Sequence, residues 1–198
     1  MRRNAARILA VVALIAFGAS PVTAQFTINA RAGLGVPTGT IADSDNAVLG
    51  AGATSGFGWG AGLAYGLGDR WTLRGNFDMT MHEAETTDGS VVADVDVLHF
   101  IGGLGYQLTT PGNPFYISVN AGAGALSFKV GPPDGGDSET ETYFAINAGA
   151  EIGYWLSDSF AIFASPQGDI AFSDEDVFGT STSFVWPFTA GLKVRLGS

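Results

Sequence analysis

Apolar and polar residues alternate in the stretch 184–196, near the end of the chain. Every even position from 184 to 196 is apolar, whereas the odd positions include Thr189, Gly191, Lys193 and Arg195. A period of two is typical of a β-strand, whose side chains point alternately to opposite faces. The stretch therefore predicts a strand with one apolar face.

The same alternation recurs along the chain and predicts eight strands in all. Each has an apolar face, and the opposite faces hold many glycines, small polar residues and charges. Their lengths are close to the ~9–11 residues with which a tilted strand crosses a bilayer. The eight segments are 26–36, 56–67, 71–81, 98–108, 115–123, 144–156, 160–172 and 184–196.

The connections between these strands alternate in length. Short hairpin turns are predicted at 68–70, 109–114 and 157–159. Longer polar loops are predicted at 37–56, 82–97, 131–141 and 173–183. Short turns at one rim and long loops at the other are typical of a membrane barrel with both termini on the short-turn, periplasmic side. The pattern predicts an all-β fold, an eight-stranded antiparallel transmembrane β-barrel, in which 184–196 closes against 26–36.

Strand pairing across the short turns tests this fold. It places large inward side chains opposite small ones, which is how the narrow interior of an eight-stranded barrel is filled. The predicted pairs are Arg74 with Ala64, Asp78 with Gly60, His99 with Gly124, Asn120 with Gly103, Glu151 with Ser165, and Gln167 with Gly149.

Two irregularities interrupt the alternation. Pro166 and Pro187 lie within strands and have no N–H for the ladder, so we expect a local bulge at each. The apolar face also changes phase before Leu98 and after Ala125, which the predicted pairing places opposite each other. The strands either bulge there or continue above the membrane in another phase.

The apolar faces could point to lipid or to a soluble interior. An inverted, lipocalin-like barrel would have to hold the large apolar side chains of eight strands in an interior with little room. The small polar face fits there instead. Aromatic residues also gather near the strand ends, as they do in the interfacial girdles of membrane barrels. We therefore assign the apolar face to lipid.

The first residues have the pattern of an export signal. Arg2, Arg3 and Arg7 form a basic region before an apolar run at 8–17, and small residues at 22–24 offer a cleavage site. That run is too short to cross a bilayer as a helix, which takes about 20 residues. We expect a cleaved signal peptide at 1–24, rather than a retained anchor, and a barrel domain at 25–198.

Charge and composition narrow the choice of partners. The chain has 19 acidic and nine basic residues, and three of the basic ones lie in the predicted signal. So acidic a protein is not expected to bind nucleic acid, because phosphate binding requires basic patches. The sequence has no cysteine, which excludes disulfides and cysteine-based metal sites.

The eight alternating segments, of which 184–196 is the last, resemble those of the small eight-stranded outer-membrane β-barrel proteins. This is the group of the OmpA transmembrane domain, OmpX and OmpW. Thr189, Gly191, Val194 and Leu196 are similar to the assembly signal of that family, which commonly ends on an aromatic residue rather than leucine. The resemblance implies a Gram-negative cell envelope and a monomer in the outer membrane. Its implied partners are outer-membrane lipid, lipopolysaccharide and, during insertion, the assembly machinery.

The sequence offers little for catalysis. His82 and His99 are predicted near the outer strand ends, with Glu83, Asp94 and Asp96 close in sequence. A hydrolytic Asp/His site is one interpretation, but no nucleophile stands at a matching spacing, and a solvated polar cluster explains the residues as well. We expect no enzyme, no catalytic residues, no metal site and no cofactor.

Charged residues on the inward faces predict a network inside the barrel. Charges of both signs in a confined lumen must pair. We expect Arg74 with Glu151 as the controlling pair and Arg31 with Asp78 next. The network forms either a plug or the lining of a narrow, gated pore, and replacing Arg74 and Glu151 together by small residues raises conductance if they form the plug. Its members are Arg31, Arg74, Asp78, Glu151, Asp169, Lys193 and Arg195.

Fourteen of the nineteen acids fall in the predicted long loops or the adjoining strand ends, where only Lys129 offsets them. Such a rim collects divalent cations, repels anionic polymers, or simply stays solvated. Two functions follow from the sequence. One is a plugged barrel with a structural or surface-interaction role through its acidic extracellular loops, and the other is a narrow porin-like or OmpW-like channel for small solutes.

Overall fold

The computed structural model describes residues 26–46 and 50–196. The predicted signal peptide at 1–24 lies outside these residues. Eight long strands form the structure: β1 Phe26–Thr38, β2 Gly56–Gly66, β3 Trp71–Glu85, β4 Val91–Gln107, β5 Phe115–Gly131, β6 Glu139–Trp155, β7 Phe160–Ala171 and β8 Ser183–Leu196.

The segments at the long-loop end hold little further secondary structure. A 3₁₀ helix, Gly39–Ala42, follows β1, and a two-residue strand, Gly52–Ala53, pairs with the end of β3. One short helix, α1 Glu175–Phe178, lies between β7 and β8. No helix among the described residues is long and apolar enough to cross a membrane.

Consecutive strands pair antiparallel, and β8 returns to β1, so the sheet closes on itself. Across the closing seam Ala30 lies opposite Leu192, and Leu34 lies opposite Phe188. This confirms the predicted eight-stranded antiparallel barrel and its closure by the last strand.

The two faces of the sheet are as different as the alternation predicts. Large apolar side chains point outward, and Leu34, Leu104 and Leu192 are 55%, 46% and 58% exposed on the isolated chain. Polar side chains such as Asn29 and Asn120 point inward and are buried. The outward apolar surface matches a lipid environment, and the narrow interior is filled by small and polar groups.

Strand register agrees with the predicted pairing at two of the three short turns. Arg74 lies opposite Ala64, and Gln167 opposite Gly149, as predicted. Asp78 lies opposite Gly60, also as predicted.

The predicted pairing of β4 with β5 is wrong by two residues. His99 lies opposite Leu126 rather than Gly124, and Asn120 lies opposite Gly105. The hairpin closes two residues later on β5 than the length of the turn predicts. A shift of two residues leaves every side chain on its original face, so the predicted faces still hold.

The bulges expected at Pro166 and Pro187 are absent, because the strand register is the same on both sides of each proline. The pairing of β6 with β7 is interrupted at two positions without a change of register. These positions are Ala150 opposite Pro166, and Glu151 opposite Ser165. The Ser165 hydroxyl donates to the Ala150 carbonyl oxygen at 3.1 Å. This bond replaces the N–H that proline lacks.

Strands β3 to β6 extend further toward the long loops than predicted. The loop between β3 and β4 covers only 86–90, not 82–97. Pairing of β4 with β5 is continuous past Leu98, which excludes a bulge there. Of the two alternatives, the strands therefore continue, with their apolar residues in another phase.

What changes at this height is the chemistry of the two faces. Inward residues become apolar, and Val97, Leu126 and Phe128 are 2%, 0% and 3% exposed. Outward residues become polar, and the Thr142 hydroxyl donates to the Ser127 hydroxyl oxygen at 2.9 Å. A sheet that stands in water outside the bilayer needs an apolar interior, as a soluble protein does.

Candidate functional site in the barrel lumen

A carboxylate shared by two cations braces the lumen near the short-turn end. Arg74 Nη2 donates to Glu151 Oε2 at 2.7 Å, and Lys193 Nζ donates to Glu151 Oε1. Glu151 is only 1% exposed. The three side chains come from β3, β6 and β8, which are not neighbours in the sheet. The trio therefore spans the interior.

A second ion pair lies further along β1 and β3. Arg31 Nε donates to Asp78 Oδ1 at 2.6 Å, and its Nη2 donates to Asp78 Oδ2 at 2.5 Å. Its Nη1 donates to the amide oxygens of Asn29 and Asn76, each at 3.2 Å. This bidentate geometry holds the guanidinium in one orientation. The structure thus brings together both pairs that the sequence analysis named first.

The two histidines belong to a buried network, not to a solvated cluster. His82 and His99 are 4% and 1% exposed, and the Thr80 hydroxyl lies between their Nε2 atoms at 2.8 and 3.3 Å. His82 Nδ1 faces the Thr54 carbonyl oxygen at 2.8 Å, and His99 Nδ1 faces Asp169 Oδ2 at 2.7 Å. All four contacts are satisfied when His82 is neutral and His99 carries both ring protons.

The histidine network continues along β6 and β7. Asn147 Nδ2 donates to Asp169 Oδ1 at 2.5 Å and to Gln167 Oε1 at 3.1 Å. Gln167 Nε2 in turn donates to the Ser165 hydroxyl at 3.1 Å. Sequence reasoning placed the histidines at strand ends because β3 was predicted to stop at 81. The alternation along the strand could have predicted an inward position, since His82 lies an even number of residues from Arg74 on β3 and therefore shares its inward face.

An apolar layer fills the lumen beyond the histidines. Phe178 of α1 packs on Phe128 and Tyr143, with ring centroids 5.1 and 5.8 Å apart. Ile41, from the 3₁₀ helix, and Val185 belong to the same buried cluster. A small cavity of about 120 Å³ remains inside it. This layer was not predicted from the sequence, where its only sign is the change of apolar face before Leu98 and after Ala125.

The short-turn end of the lumen is open. A cavity of about 550 Å³ reaches from the turns to the Glu151 trio. Arg195, predicted to join the inner charge network, lies at this mouth and stacks on the Trp155 ring at 3.9 Å. Among the described residues it makes no salt bridge within 4.0 Å. The remaining six predicted network residues are all buried.

The residues of the predicted assembly signal face different ways. The Thr189 hydroxyl points inward and donates to the Ser165 carbonyl oxygen at 3.3 Å. Gly191 lies so close to the backbone of Ala30 that an added Cβ would sit 2.1 Å from its carbonyl oxygen. Leu196 is outward and 48% exposed. Val194, on the same outward face, pairs with Ile28 across the seam.

Many of the acids lie toward the long-loop end, and several of them belong to strands rather than to the predicted loops. Glu83 lies directly opposite Asp94 on neighbouring strands, and both are exposed. In the loop 86–90, the Thr86 hydroxyl and the Ser90 N–H donate to Asp88 and lower the pKa of its carboxyl. Within the described residues, no group of three or more His, Asp or Glu side chains is arranged to hold a metal ion.

Solved structures with similar folds include Neisserial surface protein A (NspA), at 16% identity over 86% of this chain and 97% of that chain, with a TM-score of 0.65. A major outer membrane protein from Thermus thermophilus has 14% identity over 87% and 99%, with a TM-score of 0.61. Ail, the attachment invasion locus protein of Yersinia pestis, has 16% identity over 87% and 97%, with a TM-score of 0.50. At such identities the likeness shows the fold alone.

No curated protein matches the sequence significantly. A family model for the outer membrane protein beta-barrel domain matches residues 9–176, which is most of the chain. The closed barrel agrees with the fold of that family, and the family match places the chain in the outer membrane. This chain belongs to the family of outer-membrane β-barrel domain proteins.

Proposed function

We propose that this protein is a closed barrel that anchors an acidic surface in the outer membrane. The observation that carries the proposal is the filling of the lumen at three heights. The ion pairs lie nearest the short turns, the histidine network follows, and the apolar layer closes the long-loop end. The barrel would be a monomer surrounded by outer-membrane lipid and lipopolysaccharide. The outer-membrane assembly machinery would insert it.

The three fillings oppose permeation by different means. An ion that enters from the short turns meets Glu151 already paired with two cations. A polar solute that passes this level must then cross side chains such as Leu126 and Phe128, which offer no hydrogen bonds. Moving a polar group into such surroundings is costly. The combination favours a plug over a pore.

The charge of the long-loop end favours cationic partners. Fourteen acids and one lysine lie in the loops and adjoining strand ends. Ail was solved with the heparin analogue sucrose octasulfate, a polyanion. A polyanion would be repelled by the acidic rim of this chain. We propose that its loops contact positively charged surfaces instead.

Conductance in planar bilayers tests the closed lumen. We expect no single-channel current from the refolded wild-type protein. The variant Arg74→Ala with Glu151→Ala removes the Arg74–Glu151 pair but leaves Arg31 with Asp78, the histidine network and the apolar layer, so we expect it to stay closed. It would conduct if the Arg74–Glu151 pair were the only barrier.

The narrow channel is the competing function. The 550 Å³ cavity favours it, because solute can enter from the short turns as far as the Glu151 trio. Steady wild-type currents in the bilayer experiment would support this channel and contradict the closed barrel.

A further inference from the structure

The cavity at the short-turn mouth is basic, although the protein is acidic. Four of the six basic residues between positions 26 and 196 line it, and so do three acids. The opposite end of the barrel holds fourteen of the nineteen acids. The four basic residues are Arg70, Arg74, Lys193 and Arg195.

Buried charge at the inner wall of this cavity is not balanced. Within 26–46 and 50–196, Glu151 is the single carboxylate that pairs with Arg74 and Lys193. The other two ion pairs of the lumen each join one acid to one base. A buried cation without its own counter-charge is costly. The trio therefore presents an excess positive charge to the cavity.

The rim acids compensate this charge only weakly, although Asp158 attracts Arg195 electrostatically. Asp69 and Asp158 line the cavity mouth but are exposed to solvent. In the described structure neither is within 4.0 Å of a basic nitrogen. Interactions between exposed charges are weak, because water and salt screen them.

Two polar groups in the cavity wall also lack hydrogen-bond partners. The Tyr116 side chain lies in a residue only 4% exposed, and its hydroxyl makes no hydrogen bond within 3.5 Å among the described residues. The same holds for the buried Nε of Arg195. Trp155 contacts both, since its ring stacks under Arg195 and lies 6.1 Å from the Tyr116 ring. The cavity wall therefore holds two donors without a hydrogen bond within 3.5 Å, and the Glu151 carboxylate lies close to the tyrosine hydroxyl.

We propose that this cavity binds a small organic oxyanion, a carboxylate or a phosphate, which enters from the short-turn side. Lys193 and Arg195 supply the positive charge, and the Tyr116 hydroxyl donates a hydrogen bond to an anion oxygen. Lys193 Nζ lies over the Tyr116 ring, 5.1 Å from its centroid, so the two side chains are neighbours in the wall of this cavity. The site does not depend on whether the barrel conducts.

Titration calorimetry on the refolded full chain in detergent tests the site. Inorganic phosphate and acetate are the probes, titrated at constant ionic strength against chloride. We expect saturable binding of at least one probe, and the comparison tells which oxyanion class is preferred. Tyr116→Phe removes a hydrogen bond to a charged group, so we expect the affinity to fall about tenfold. Arg195→Gln should weaken binding at least as much.

Matched variants at the other end of the barrel serve as controls. Lys129→Gln removes the same charge as Arg195→Gln, and Tyr143→Phe removes another hydroxyl that makes no hydrogen bond within 3.5 Å. We expect both to bind like the wild type. Absence of binding by both probes would overturn the site. So would equal losses in Lys129→Gln and Arg195→Gln, because only the net charge would then matter.

Discussion

At the scale of single residues, the lumen depends on partners that meet across the barrel. Parity along the strands predicts that Arg74, Glu151 and Lys193 point inward, but not which of them touch. The distance between two inward side chains depends on barrel diameter and on strand tilt. A strand pattern carries neither quantity. The pairing of Arg74 with Glu151 could be anticipated by charge, whereas the contact of His99 with Asp169 was not.

Glu151→Gln tests the value of the shared carboxylate. The substitution leaves two buried cations without a counter-charge, so we expect a loss of about 3–5 kcal/mol in the free energy of unfolding. Urea unfolding of the refolded protein in lipid vesicles measures it. Glu83→Gln, an exposed acid on β3, is the matched control and should change stability by less than about 0.5 kcal/mol. Similar losses in both variants would contradict the bracing role of Glu151.

At the scale of the strands, the alternation predicts existence and facing better than register. The turn at 109–114 did not reveal that β5 pairs two residues further along, because either register keeps the same faces. The bulges predicted at the prolines are wrong for a different reason. A strand can accommodate a missing N–H by a bulge or by a hydrogen bond from a neighbouring hydroxyl. In β7, the Ser165 hydroxyl makes that hydrogen bond.

A double substitution tests this account of Pro166. Ser165→Ala leaves the Ala150 carbonyl without a donor, and we expect a loss of about 1–3 kcal/mol in the free energy of unfolding. Adding Pro166→Ala restores a backbone N–H at the gap, so the double variant should recover most of that loss. The same urea unfolding measures both variants. Equal instability of the single and double variants would show that the hydroxyl is not replacing the ladder bond.

At the scale of the whole molecule, charge is separated along the barrel axis. The acids gather at the long loops and the bases near the short turns. Loop positions alone predicted the acidic end. The basic mouth was not predicted, because it forms only when residues from β3, β8 and the turn before β3 meet around one cavity.

Binding of a soluble polycation checks the acidic end. We expect polylysine to bind the protein in nanodiscs, with an affinity that falls as salt rises, and heparin not to bind. Replacing Asp174, Glu175 and Asp176 by their amides should weaken polylysine binding, since all three are exposed at the start of α1. Asp158→Asn, at the other end, is the control. Binding that ignores salt would exclude an electrostatic surface.

The exchange of apolar and polar faces also sets how deeply the barrel sits. Pushing the barrel inward would drag the outward polar groups of Ser127 and Thr142 into hydrocarbon, and pulling it outward would expose Phe100 and Phe144 to water. The first displacement is opposed by the cost of burying polar groups, and the second by the cost of exposing apolar side chains to water. The height at which the outward face changes from apolar to polar therefore fixes the position of the outer membrane surface on the barrel. The distance from that height to the short turns specifies the membrane thickness that this barrel fits.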